Sequence, residues 1–215
     1  MNVSHKGRQW LYASWLGIAT LTMSWPGQTQ QPAASIDAVV QTATQGKAAA
    51  YSVSISDGSA DYSVVALYPV RDDAPDKGQL LVVGHNAAGF TVTLAVPQQG
   101  QLPRTVVEGI DVFPSQFLLH FSAFGACGGV STSYRFGLRS GNWTLTGLDQ
   151  ISHDCDSNGE IVTDAKLSKN LLTGKVIRQD YIDGKAQPEQ ISTEKFGVLL
   201  LRDFVPFDAR HGELL

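Results

Sequence analysis

From Tyr51 onward, apolar and polar positions alternate along short runs, the period-two pattern of half-buried β-strands. The runs come in pairs joined by turn residues. Residues 51–56 set Tyr, Val and Ile between serines, Asp57-Gly58 turns the chain, and 62–68 return as a second strand. Residues 79–83 and 90–96 flank the loop His85-Asn86-Ala87-Ala88-Gly89, and 106–112 and 116–122 flank Phe113-Pro114-Ser115. Residues 133–139 and 142–149 enclose Ser140-Gly141, and 164–172 and 175–181 enclose Thr173-Gly174. Asp183-Gly184 then turns the chain towards a last strand near 196–202. No long amphipathic helix interrupts the series. The pattern predicts an all-β fold of successive antiparallel hairpins, propeller-like in its even spacing, with a barrel or a sandwich as alternatives.

Upstream the pattern is absent. Residues 28–50 are mostly Gln, Ala, Thr and Pro and lack an aromatic, so 25–50 read as a flexible linker with a short helix at 36–42. Ahead of it, Lys6 and Arg8 precede an uncharged apolar run of 14 residues, Trp10 to Met23. That is the pattern of a secretory signal peptide, here 1–24, and the run is shorter than the roughly 20 residues a spanning helix needs. The expected product is an all-β domain at 51–215, periplasmic or secreted, with no stable membrane insertion after signal cleavage. The formal charge of −4 becomes more negative by two without Lys6 and Arg8. Such a chain lacks the clustered cations that nucleic acid or anionic lipid would require, and suits a basic protein partner.

In an oxidising compartment the two cysteines, Cys127 and Cys155, are expected to form a disulfide. If Ser140 and Gly141 close the intervening hairpin, Cys127 faces position 154 and Cys155 faces position 126, one residue out of register. A single β-bulge would align them, and Gly125, Gly128 and Gly129 are residues that tolerate one. The bridge would tie a glycine-rich loop to an acidic one.

The acidic loop runs from Asp154 through Asp156, Asn158 and Glu160 to Asp164. It places oxygen ligands at positions 1, 3 and 5 and Gly159 at position 6 of a calcium loop, but Ala165 stands where the bidentate Glu belongs. A structural calcium ion is one expectation, and a solvated Asp-Asn-Gly turn is the other. Across the hairpin, Gly128, Gly129, Ser131, Ser133, Tyr134 and Arg135 form a candidate binding segment. Its glycines would let the backbone approach a partner while Ser, Tyr and Arg supply contacts. The alternative is an ordinary hairpin with Tyr134 packed in the sheet. Catalytic patterns are weak: His85, His120, His153 and His211 match no zinc spacing, no G-x-S-x-G elbow occurs, and His120 reads as a sheet-face residue. The expectation is binding, with no enzymatic activity.

The block Tyr134-Arg135-Phe136 through Gly141-Asn142-Trp143-Thr144-Leu145-Thr146-Gly147-Leu148-Asp149, followed by Asn170-Leu171-Leu172-Thr173-Gly174-Lys175, resembles a broad group of exported bacterial proteins. The resemblance covers about residues 80–178. One branch of that group comprises periplasmic immunity proteins that inhibit lysozyme-like, peptidoglycan-cleaving effectors. The resemblance implies a propeller-like all-β fold, calcium dependence, and a loop inserted into the hydrolase cleft, here the segment from Gly128 to Arg135. It departs from the lysozyme-inhibitor pattern in placing its glycines ahead of Ser131-Thr132-Ser133-Tyr134. An exported, calcium-stabilised interaction module without an enzyme target is the alternative.

Overall fold

Residues 64–68 and 80–83 are apolar at nearly every position, the mark of strands covered on both faces. They lie in β2 (Tyr62–Pro69) and β3 (Gln79–Asn86), the middle strands of a small antiparallel sheet completed by β1 (Tyr51–Ser56) and β4 (Gly89–Pro97). The structure is a computed structural model that describes residues 32–56, 61–70, 78–97, 105–125 and 127–206. The expected signal peptide 1–24, the Asp57-Gly58 turn and His211 lie outside the described residues.

One face of the small sheet is covered by α1 (Ile36–Ala43), whose Val39 and Val40 pack on Val65, Leu67, Leu81 and Val83. Ser35 caps this helix, its hydroxyl accepting from the Ala38 amide at 3.2 Å. The expected helix is therefore present, but residues 32–50 are built into the fold where composition suggested a flexible linker. Their few apolar positions cannot form a core alone. They complete one by covering a sheet face that would otherwise be exposed.

The other face of the small sheet packs on a large antiparallel sheet. Its strands are β5 (Thr105–Phe113), β6 (Gln116–Phe124), β7 (Gly129–Arg139), β8 (Asn142–Cys155), β9 (Ile161–Asn170), β10 (Lys175–Ile182) and β11 (Lys185–Ala186), each paired with its sequence neighbour. β12 (Gln190–Thr193) pairs with β10. The all-β expectation of successive hairpins holds. Among the architectures left open, this is sheet packed on sheet.

Between the sheets, Val64, Ala66, Tyr68, Leu80 and Val82 meet Phe117, Leu119, Phe121, Tyr134, Phe136 and Leu148. Strand β7 shows the alternation plainly. Val130, Thr132, Tyr134 and Phe136 are buried, while Ser131, Ser133 and Arg135 between them are partly exposed. The chain after β12 corrects the sequence reading. The expected strand near 196–202 is a strap, with one isolated bridge at Leu200, a 3-10 turn at Leu201–Asp203, and Phe196, Leu199, Leu201 and Phe204 packed into the core. Phe204 sits 4.8 Å from the Tyr134 ring and 5.0 Å from Phe136, both edge-on, an aromatic geometry that adds to simple burial.

Tyr62 joins the small sheet to the β5–β6 turn. Its ring lies 4.9 Å from Trp143, and its hydroxyl is 2.7 Å from the carbonyls of both Phe113 and Gln116. Burial pushes the phenol up to about 12, against a weaker opposing pull from the hydrogen bond to Gln116, so the folded state holds its proton after the unfolded chain has lost it. Stability should therefore fall as pH rises from about 10, the ordinary tyrosine value, towards 12. Tyr62→Phe should cost about 1 kcal/mol at neutral pH by denaturant titration, and should remove this part of the alkaline loss.

Candidate functional site on the outer face of the large sheet

The face of the large sheet turned away from the small one forms a trough of about 550 Å³. Outward positions of neighbouring strands line it, including His120, Ser131, Ser133, Asp149, Lys166 and Ser168. The strand register explains why these side chains meet: His120 pairs with Ser133, Ser133 with Asp149, and Asp149 with Ser168.

Two hydrogen-bonded groups result. In the first, Asp111 Oδ2 lies 3.0 Å from His120 Nε2, and His120 Nδ1 lies 2.7 Å from Ser133 Oγ. The neutral ring satisfies both contacts in one tautomer, with Nε2–H donating to the carboxylate and Nδ1 accepting from the serine hydroxyl. In the second, Asp149 accepts from Arg135 at 3.2 Å and from the Ser168 hydroxyl at 2.6 Å. Gly147 makes room for this arrangement, since a Cβ there would come within 3.2 Å of the Arg135 guanidinium.

From within the trough, the outward pairs Ser133–Asp149, Ser131–Ile151 and Gly129–His153 lead along β7 and β8 to the Cys127–Cys155 disulfide, whose Cα atoms are 5.7 Å apart. The bulge required to align the cysteines exists, but lies elsewhere than the glycines. The register shifts between Arg135 and Phe136, where Leu145 and Gly147 are the successive partners and Thr146 is the extra residue. The Thr146 hydroxyl donates to the Arg135 carbonyl at 3.1 Å.

Comparison of the chain with known protein families, curated proteins and solved structures returned no match. Geometry alone therefore assigns roles to the residues expected to bind. Residues 129–135 are ladder positions in the middle of the large sheet, so the segment from Gly128 to Arg135 is no inserting loop. The loop proper is confined to the bend before β7. Tyr134 takes the packed alternative and is completely buried. Ser131, Ser133 and Arg135 face outward on the same side as the trough. Gly128 and Gly129 serve close packing: a Cβ on Gly128, at φ +81°, would lie 2.2 Å from the His153 carbonyl, and one on Gly129 would lie 2.6 Å from that of Ala123.

In the acidic loop, Asp156 organises its own turn. Its Oδ1 accepts from the amides of Asn158 at 2.8 Å and Glu160 at 2.9 Å. These bonds hold the carboxyl below the usual aspartate range, the Glu160 amide contributing most. Asp154 bonds the Cys155 amide, and Asp164 is the extra residue of a bulge in β9. Among the described residues, no three His, Cys, Asp or Glu side chains gather in a metal-binding group. No helix of the described residues is long and apolar enough to cross a membrane.

His120 and Asp111 are the residues that sequence reasoning passed over. The alternation put His120 on a sheet face, but its contact with Ser133 depends on how two successive hairpins pair.

The disulfide closes a loop with a sequence separation of 28. Replacing both cysteines by serine should lower stability by about 3–4 kcal/mol on the chain-entropy estimate. Gly128→Ala should cost about 2–4 kcal/mol through strain and backbone overlap, with the bridge retained. Thermal and denaturant unfolding of both variants, with thiol counting, checks these values.

Proposed function

We propose that the protein is a periplasmic or secreted immunity-type inhibitor that binds a basic, lysozyme-like peptidoglycan hydrolase. The observation that carries this reading is the bridge between Cys127 and Cys155, which fixes an exposed acidic turn at the end of the large sheet's outer face. A turn already held in place loses little conformational freedom on entering a cleft. Asp154, Asp156 and Glu160 give it the charge to attract a cationic enzyme. The negative formal charge of the chain and the resemblance of its 134–149 block to a broad group of exported bacterial proteins, one branch of which inhibits such hydrolases, support the same reading. The contact element is moved, however, from the β7 segment to the stapled turn.

A structural calcium ion at Asp154, Asp156, Asn158, Glu160 and Asp164 belongs to the same proposal. The ion would take Asp156 from two amides. A rise in Tm with calcium, above that with equal magnesium, supports the ion, and equal Tm values in calcium and chelator remove it.

The inhibitor reading is tested with the purified protein against a panel of basic muramidases, following cell-wall lysis and binding together. Lysis should be blocked, with affinity falling as salt rises. In chelator, where the ion contributes nothing, the double variant Asp154→Lys, Glu160→Lys should bind at least ten-fold more weakly at an unchanged Tm. Absence of inhibition across the panel removes the reading.

A further inference from the structure

We propose that Ser133 is an activated nucleophile that accepts the acyl group of a short-chain ester bound in the trough, with His120 as its base and Asp111 as the positioning residue. Three observations carry this. The contacts from Asp111 to His120 and from His120 to Ser133, at 3.0 and 2.7 Å, form one continuous chain. In a neutral ring whose Nε2–H donates to Asp111, the Nδ1 lone pair is directed at the serine hydroxyl. Both His120 and Ser133 line the trough, so a bound ester has access to the pair. A hydroxyl beside an imidazole whose far N–H is held by a carboxylate is the general arrangement for serine activation, whichever ring nitrogen serves as base.

The chemistry balances with water alone. The Ser133 proton passes to His120 Nδ1 as Oγ bonds the acyl carbon. The bond from that carbon to the leaving oxygen breaks, and His120 returns the proton to the departing alcohol. A water molecule then gives a proton to His120 and attacks the acyl-serine. The carboxylic acid leaves and Ser133 regains its hydrogen.

The surroundings set the limits of this activity. Ser133 lies in β7, which pairs with β6 on one side and β8 on the other, so the ladders use the backbone N–H groups that would otherwise stabilise an oxyanion. Each missing donor of that kind costs about 10²- to 10³-fold in rate. Asp149, opposite Ser133, adds negative charge, although Arg135 and Ser168 partner it. Activated esters, whose leaving groups need little assistance, are therefore the substrates expected to react, and acyl-serine should accumulate.

The activity is independent of hydrolase inhibition, and its assay contains no muramidase. The purified protein is treated with p-nitrophenyl acetate, and separately with an alkyl fluorophosphonate, then analysed by intact mass and peptide mapping. A burst of one equivalent of p-nitrophenolate is expected, with one acetyl or phosphonyl group on Ser133. Ser133→Ala should abolish both labels. His120→Gln should slow labelling about 100-fold at an unchanged Tm. Asp111→Asn should slow it about ten-fold, with partial recovery in Asp111→Glu, a pattern that loss of folding would not produce. Labelling confined to other residues, no labelling, or a wild-type rate in His120→Gln would each overturn the proposal.

Discussion

The arrangement of the large sheet depends on one extra residue in β8, Thr146. Side chains in a strand alternate strictly between faces, so a single inserted residue reverses the facing of everything beyond it. Leu145 points inward opposite Phe136, and after Thr146 the inward position falls to Leu148, opposite Tyr134. Without the bulge, Ser133 would pair with Leu148, setting an apolar side chain on the outer face and turning Asp149 towards the core. With it, Asp149 joins Ser133 and Ser168 in the trough, and the same offset aligns Cys127 with Cys155. The Thr146 hydroxyl satisfies the Arg135 carbonyl across the bulge, and its methyl group lies over Gly137, where a Cβ would come within 3.2 Å.

The small sheet repeats this device. Thr93 is the extra residue between Val92 and Leu94, its hydroxyl donates to the Val82 carbonyl at 3.0 Å, and its methyl lies over Gly84. Phe90 and Val92 accordingly face the helix, whereas Leu94 and Val96 face the large sheet. A Thr bulge placed opposite a Gly thus serves both sheets. In the small one it turns a single run of apolar residues towards two cores.

The two bulges differ in how far the sequence disclosed them. Residues 90, 92, 94 and 96 alternate without interruption, and because both faces of that sheet are covered, nothing in the pattern marks Thr93. In β8 the apolar positions step from 143 and 145 to 148, a break of phase that is visible once register is considered. The hairpins were legible because their turns are closed by local residues such as Ser140-Gly141 and Thr173-Gly174. The cysteine pairing was legible for the same reason, to within the one residue that Thr146 supplies. The chain from Asp111 through His120 to Ser133 was not, since it depends on β6 pairing with β7 across a glycine bend that carries no register signal. Nor was the packing of residues 32–50, whose sparse apolar positions acquire meaning only beside the sheet they cover.

The residues of the 134–149 block and of the turn at 170–175 divide along the same lines. Tyr134, Phe136 and Leu145 fill the core, Trp143 packs on Tyr62 and Phe117, and Gly141 takes the positive φ of a tight turn. Asn170 organises the next turn by accepting from the amides of Leu172 and Thr173, and a Cβ on Gly174 would collide with the Glu194 carbonyl. All of these build the scaffold. Of the block, Arg135 and Asp149 alone turn charge towards the trough, while Ser133 stands just ahead of it. Fold and outer surface are therefore specified by alternate residues of the same strands. A chain could keep every inward position of this block and present different chemistry outward, so likeness in the block constrains the scaffold more closely than the partner. The stapled turn and the outer face, where the inward pattern exerts no control, are where a partner or substrate would be distinguished.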